Sequence, residues 1–311
     1  MSTQEFQSKV EMNDDLLVKG NLNVEGRIIR KTPQTLFRYN YIDCGAPIMS
    51  HAQNSDTATT DGHVHGMIFP GTNGEMYPVN ICRIGATTAA LETPILEGTV
   101  PATDTATTAA GLNIQMDQDT AADLGFELTI GGPLGDARAF TVGTHSGFID
   151  ISVFCAEWTT YDAVSIGFRK VENYDTGHAP IVAAGTGDAL YTDFATFGLQ
   201  ESDKIQFATD LNNGGTGVYT DSTDTPTNSQ NQRFRVSLAA NGNVTYTMEQ
   251  NGVANGGTMA APTAVPGSQY TFDSGDVVIP YFFIHGKDHA DSALLLKHLE
   301  VSRVAGSQYT D

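Results

Sequence analysis

The sequence predicts an all-β protein, an antiparallel β-sandwich or jelly roll with long loops, preceded by an extended N-terminal arm. Three observations predict it. Short runs of alternating apolar and polar residues recur along the 311-residue chain, as in F-I-D-I-S-V-F-C at 148–155 and R-F-R-V-S-L at 233–238. That is the period of a strand with one buried face. Between the runs lie stretches of Thr, Asn, Ser, Asp and Gly, with 32 glycines in all and only 17% charged residues, the composition of turns rather than helices. Charge is also divided unevenly. Residues 1–38 hold six of the 16 basic and five of the 36 acidic residues, near +1, which leaves ten basic against 31 acidic residues, near −21, for the rest.

Taken in order, residues 1–12 read as a flexible or short helical start. In 15–30, Leu16, Val18, Leu22 and Val24 share one face of an extended chain interrupted at Gly20, and Ile28 follows Gly26. One such strand cannot bury its apolar face alone. These five residues are therefore expected to pack on the body, on copies of the chain or on a particle. Pro33 closes the segment. The arm is placed at 1–38 and the body at 39–311, with 39–124 either part of the sandwich or a separate loop-rich subdomain.

In the body, 35–45 reads as the first strand and 46–66 as a polar loop. Short strands are expected near 67–69, 77–84 and 93–98. The Thr-, Ala- and Asp-rich stretch 99–123 reads as a long loop, with a helical turn around 117–124. Strands are expected at 125–132, 137–143, 148–158, 162–171, 189–197 and 204–211, then a second long loop at 212–230. A hairpin follows, 233–238 and 244–250, turned at Asn241-Gly242, residues that tolerate positive φ. The last strands are expected at 269–272, 277–285 and 293–304. No repeat of propeller or solenoid length is present.

Composition narrows the function. A net charge of −20 argues against a nucleic-acid groove, which needs cations to displace counterions, and against adhesion to anionic lipid. It suits solubility on a crowded surface. The opening M-S-T-Q-E-F-Q-S-K-V has no basic region followed by an apolar run, so no secretory leader is expected, and no stretch approaches a membrane span. Cys44, Cys82 and Cys155 are odd in number, far apart and without a C-x-x-C. Free, partly buried thiols in a chain made in a reducing cytosol are expected, with a bridge between two of them left open.

Several groups have the residue types of a chemical site. His63-Val64-His65 sets two imidazoles on one side of an extended chain, and His51 or Asp61 would supply a third ligand to zinc or copper. The plainer reading is a polar surface loop. The His285–Asp291 stretch reads the same two ways. Asp221 and Asp224, and Asp117 with Asp119, offer oxygens to Ca²⁺ but lack the Gly and terminal Glu of an EF-hand loop. No other cofactor is expected. Glu127, Asp150 and Glu157 are the carboxylates a glycosidase would need to pair. Asp150 and Glu157, seven apart, face opposite sides of one strand, which is poor for a shared cleft. No nucleophile elbow, Walker loop or dinucleotide fingerprint occurs, so no enzymatic activity is expected. Trp158, Tyr161, Tyr174, Tyr191 and Phe194 crowd the middle of the body. Core packing is the stronger reading, and a glycan contact at Trp158 and Tyr161 is the alternative.

Q-R-F-R-V-S-L-A-A-N-G-N-V-T-Y at 232–246, S-G-D-V-V-I-P-Y-F-F-I-H at 274–285 and A-L-L-L-K-H-L-E-V at 293–301 together resemble the closing strands of concanavalin-like sandwich domains. Such domains occur in tail-fibre and head-surface proteins of tailed bacteriophages. L-V-K-G-N-L-N-V-E-G at 17–26 resembles the short β-repeat that phage fibre proteins use near trimer axes, but it occurs once here, which disfavours a long shaft. The resemblance implies a capsid-decoration or short-fibre protein at the virion surface, made in the host cytoplasm. Its implied partners are two further copies of itself, as a homotrimer, and other virion proteins such as the major capsid protein. A lectin-like module for a host-surface glycan is the alternative reading, and a glycan-active enzyme the weaker one.

Overall fold

A computed structural model describes residues 33–44, 48–49, 64–72, 74–85, 95–97, 111–115, 124–132, 134–174, 191–200, 204–210, 218–222, 224–250, 253–254, 272–286 and 294–305. All of them lie in one compact unit, Thr32–Asp311. The arm residues Leu16, Val18, Leu22, Val24 and Ile28 lie outside the described residues.

Two antiparallel sheets make the body. The first joins β1 (Pro33–Asn40), β5 (Ile95–Glu97), β6 (Leu112–Gln115), β9 (His145–Cys155), β14 (Gln230–Leu238), β15 (Val244–Gln250), β16 (Val253–Ala254) and β18 (Leu294–Ala305). Its order is β16-β15-β14-β9-β18-β6-β5, with β1 also paired to β18. The second joins β2 (Ile48–Met49), β3 (Val64–Pro70), β4 (Met76–Gly85), β7 (Leu124–Thr129), β8 (Phe140–Thr141), β10 (Tyr161–Lys170), β11 (Phe194–Gln200), β12 (Lys204–Asp210), β13 (Val218–Asp221) and β17 (Val277–Gly286). Its order is β13-β12-β11-β10-β17-β7-β4-β3-β2, with β8 also on β17.

Alternation decides which side chains fill the space between the sheets. On β14, Phe234, Val236 and Leu238 are buried while Arg233, Arg235 and Ser237 are part-exposed. On β9, Ile149, Ile151 and Val153 point the same way as those three apolar residues. From the other sheet, Val164, Ile166, Phe168, Phe197, Phe207, Phe282 and Ile284 close the same core. Tyr246 stacks between Phe197 and Phe207, with ring centroids at 4.5 and 4.6 Å, an offset arrangement that aromatic quadrupoles favour. The second sheet is buried on its other face as well: Ala163, Tyr191, Phe194, Ala208, Tyr281 and Phe283 form a separate apolar cluster there. A strand buried on both faces reads as a continuous apolar run, as in V-V-I-P-Y-F-F-I-H.

The sandwich and most strand positions agree with the sequence. The hairpin forms as expected, with Leu238 opposite Val244 and Gly242 at φ +90. Several boundaries differ. The strand expected at 35–45 ends at Asn40 and turns into a four-residue helix, α1 (Tyr41–Cys44). The boundary drawn at residue 38 falls inside β1. The loop expected at 46–66 contains β2 and the start of β3, the one at 99–123 contains β6, and the one at 212–230 contains β13. The strand expected at 137–143 shrinks to β8, because Asp136 bends the preceding chain by accepting from the Gly132 and Arg138 backbone amides at 3.1 and 2.7 Å. Phe272 is buried but belongs to no strand. The helical turn expected near 117–124 falls outside the described residues up to 123, and Leu124 opens β7. Cys44, Cys82 and Cys155 are free thiols.

Candidate functional site

The outer face of the first sheet is its open, polar side. Register lines its side chains in rows. Thr247, Arg235, Asp150, Glu300 and Arg38 face one another across β15, β14, β9, β18 and β1. Asp150 is the centre: its side chain is fully buried while Arg233 and Arg235 are 40% and 36% exposed. Arg233 grips it with two parallel bonds, Nε to Oδ1 and Nη2 to Oδ2, both 2.8 Å. Arg235 Nε donates to Oδ2 at 2.7 Å. Bidentate charge-assisted bonds of this kind fix orientation as well as energy. The Arg235 guanidinium also lies over the Phe148 ring, 4.1 Å from its centroid. A groove of about 60 Å³ opens here, lined by Asp150, Arg233, Arg235, Thr247 and Glu249.

The row continues toward β1. Glu300 accepts from Arg38 Nη2 at 2.6 Å and lies 3.6 Å from His298 Nε2. The His298 bond, and then the Arg38 bond and charge, hold the Glu300 carboxyl down to about 2. Two carboxylates, Asp150 and Glu300, thus stand directly opposite one another, and each is compensated from its far side, by Arg235 and by Arg38.

The outer face of the second sheet is a closed polar cluster. Arg169 Nε donates to Glu127 Oε1 at 2.6 Å, with both side chains fully buried. The Tyr191 hydroxyl donates to the other Glu127 oxygen. Arg169 sits over the Tyr191 and Tyr174 rings, at 4.3 and 5.3 Å, and Tyr174 shares a 2.5 Å hydrogen bond with Thr129. Burial, the largest single influence, would lower the Arg169 pKa, but the Glu127 charge and hydrogen bond together with Tyr191 and Tyr174 outweigh it and raise it. Burial pushes the Tyr174 hydroxyl up as well. A carboxylate with both oxygens committed in this way serves the packing of the sheet.

The residues singled out from sequence scatter. Glu127 is on the outer face of the second sheet and Asp150 on that of the first. Glu157 is not on the strand of Asp150 at all: β9 ends at Cys155, and Glu157 is exposed in the turn before a short 3₁₀ helix, Trp158–Thr160. These three carboxylates thus lie on separate parts of the fold and form no pair for glycoside hydrolysis. Trp158 and Tyr161 are each 2% exposed, so the glycan contact considered for them is corrected: both rings belong to the core between the sheets. Trp158 Nε1 donates to the Thr227 carbonyl at 3.2 Å and its backbone amide to Asn228 Oδ1 at 3.0 Å. Tyr191 and Phe194 are also buried. Among the described residues, no three His, Cys, Asp or Glu side chains converge to hold a metal ion. His51, Asp61, His63, Asp117, Asp119 and the His65 side chain fall outside that description. The Asp221 carboxylate pairs with Lys204, and Asp224 accepts at its carbonyl from the Ile205 amide at 3.2 Å.

The Asp150–Arg233–Arg235 group was not anticipated. Its signal was present: an acid in the centre of an apolar strand, and R-F-R at alternate positions in a body with few cations. What sequence withheld was the register that joins positions 85 residues apart.

No protein-family model matches the chain, and no curated protein sequence matches it. Among solved structures, the Lotus tetragonolobus seed lectin is similar over 88% of this chain and all of that one, at 9% identity and a TM-score of 0.42. Peanut lectin is similar over 63% of this chain and 87% of its own, at 10% identity and 0.39. The CBM2 module of the evolved Dit of Lactobacillus casei BL23 phage J-1 is similar over 91% of this chain and all of that one, at 9% identity and 0.36. The sandwich described above rests on the strand pairing of this chain itself.

Proposed function

We propose that the chain is a non-enzymatic component of a bacteriophage particle surface, a capsid decoration or short fibre, held by its N-terminal segment and presenting the acidic sandwich to solvent. The observation that carries this reading is where that segment enters the body. Pro33 lies opposite Val304, at the end of β18, and Ala305 lies opposite His145, at the start of β9. The entry point is therefore at one end of the longest strands. The Trp158 turn follows the other end of β9, whose eleven residues span roughly 35 Å at about 3.3 Å each. A chain that enters the body at an end of its longest strands suits a module attached through its N-terminal segment.

Charge supports the same reading. The body is strongly acidic and stays solvated, while the arm carries the excess of cations that suits an acidic partner surface. Leu16, Val18, Leu22, Val24 and Ile28 would be covered by strand addition to the major capsid protein or to two further copies of this chain. The test compares the full chain with one lacking residues 1–32, by light scattering and by co-sedimentation with particles. Loss of the trimer and of particle binding is expected. Undiminished particle binding would overturn the attachment role.

A second reading, a carbohydrate-binding module, is favoured by one observation: the open polar face around Asp150 with its rigid guanidinium groups.

A further inference from the structure

The Arg235 guanidinium is fixed on two sides and unpartnered on the third. Its Nε is tied to a fully buried carboxylate, and one flat face rests on Phe148. Its Nη1 and Nη2 have no hydrogen-bond partner among the described residues. Arg233 differs. Its Nε and Nη2 are both spent on Asp150, and its Nη1 lies 3.5 Å from Glu249 Oε2. Arg235 is thus the cation whose two-toothed donor edge remains available beside the groove. A guanidinium held in one orientation loses little freedom on binding and matches the two oxygens of a carboxylate or phosphate.

The groove and its surroundings limit what brings that oxyanion. About 60 Å³ accommodates the acidic group itself, so the rest of the ligand lies over the sheet. There the flanking positions are short hydroxyl and planar polar side chains: Thr245 and Thr247 on β15, Ser237 on β14, Ser152 on β9, with Glu249 at the rim. Such groups suit a hydroxyl-rich ligand, and the Phe148 ring is already covered by Arg235. A net charge of −20 repels polyanions at long range, which favours a ligand with one isolated negative group.

We propose that Arg235, seated on Phe148 and Asp150, binds the oxyanion of an acidic saccharide, a carboxylate or phosphate carried on a sugar, with Thr247 at its side. The inference rests on the carbohydrate-binding reading and is independent of how the chain is attached. It also assigns Glu249 a sign: this carboxylate repels the ligand and narrows the site's charge preference.

The experiment is calorimetric titration of the full chain with 3′-sialyllactose, lactose and glucose 1-phosphate. Sialyllactose or the sugar phosphate is expected to bind at least about tenfold more tightly than lactose, and which of the two does so identifies the acid. Arg235→Gln should remove that preference by about tenfold, the worth of a charge-assisted pair. Arg235→Lys keeps the charge but loses the fork, and should recover only part of it. Glu249→Gln should tighten binding about two- to fivefold by relieving a like charge. Circular dichroism checks that each variant is folded, and Glu249→Gln gives a reading even if the Arg235 variants are not. Equal binding of lactose and sialyllactose would leave a carbohydrate module and overturn the oxyanion site. No binding of any of the three would overturn both. An acid preference that survives Arg235→Gln would place the site elsewhere.

Discussion

Arg169 and Glu127 meet at 2.6 Å with neither side chain touching solvent, on the outer face of a sheet whose other side is the apolar core. Removing one partner of a buried pair leaves the other charge without compensation. Glu127→Gln should therefore destabilise the protein by about 3–5 kcal/mol. Tyr191→Phe, which deletes only a neutral donor to the same carboxylate, should lose about 1–3 kcal/mol. Urea unfolding of both variants checks the order. Equal losses would mean that Glu127 is held by its hydroxyl partner as firmly as by its cation.

The Glu300 carboxyl makes the seating of β1 acid-sensitive. Its pKa in the folded chain is depressed from an ordinary 4.5 to about 2 by His298 and Arg38. A depressed carboxylate contributes stability that is present above the unfolded value and is lost as pH falls through the folded one. Stability should therefore decline between pH 4.5 and 2, and Glu300→Gln should flatten that part of the profile. Arg38 is 45% exposed, so solvent screening keeps its share at or below about 1 kcal/mol. Denaturant titrations at stepped pH would show it, and an unchanged slope in Glu300→Gln would assign the acid response to other carboxylates.

The same residues show how far the sequence could be read. Alternation in R-F-R-V-S-L puts both arginines of β14 on one face, and alternation in F-I-D-I-S-V does the same for Asp150, so each strand was legible alone. That the two faces coincide depends on Leu238 pairing with Gly147, a long-range choice made by the whole core. Strands β6 and β13 were hidden for a related reason. Each is four residues long in a Thr-, Asp- and Gly-rich stretch, and becomes a strand only through the neighbour it pairs with. The error at Glu157 was local: β9 ends two residues earlier, where the chain turns to seat Trp158.

Gly242 tests the one turn that was fully legible. Its φ is +90, its amide donates to the Ala239 carbonyl at 3.0 Å, and its carbonyl accepts from the Phe272 amide at 3.0 Å. A Cβ there would overlap the Phe272 carbonyl oxygen. Gly242→Ala meets both a disfavoured backbone region and a steric block, so a loss above about 1 kcal/mol is expected. Asn241→Ala keeps the glycine and removes only the side-chain bond to the Asn243 amide at 3.1 Å. It should lose less, and thermal melts of the two variants side by side read the difference.

Trp158 separates a residue that supports the fold from one that touches a ligand. Its ring is buried between the sheets, and its two hydrogen bonds tie the end of β9 to the Thr227–Asn228 turn. Trp158→Ala removes the largest buried side chain in that region and should destabilise by about 3–5 kcal/mol. Asn228→Ala, which deletes only the acceptor for the Trp158 amide, should lose about 1 kcal/mol. Neither residue lines the groove at Asp150. Below the melting transition, folded Trp158→Ala should therefore bind acidic sugar as the parent does, and any loss should follow the unfolded fraction measured by circular dichroism. Loss of binding in fully folded protein would instead bring the Trp158 turn into the ligand site.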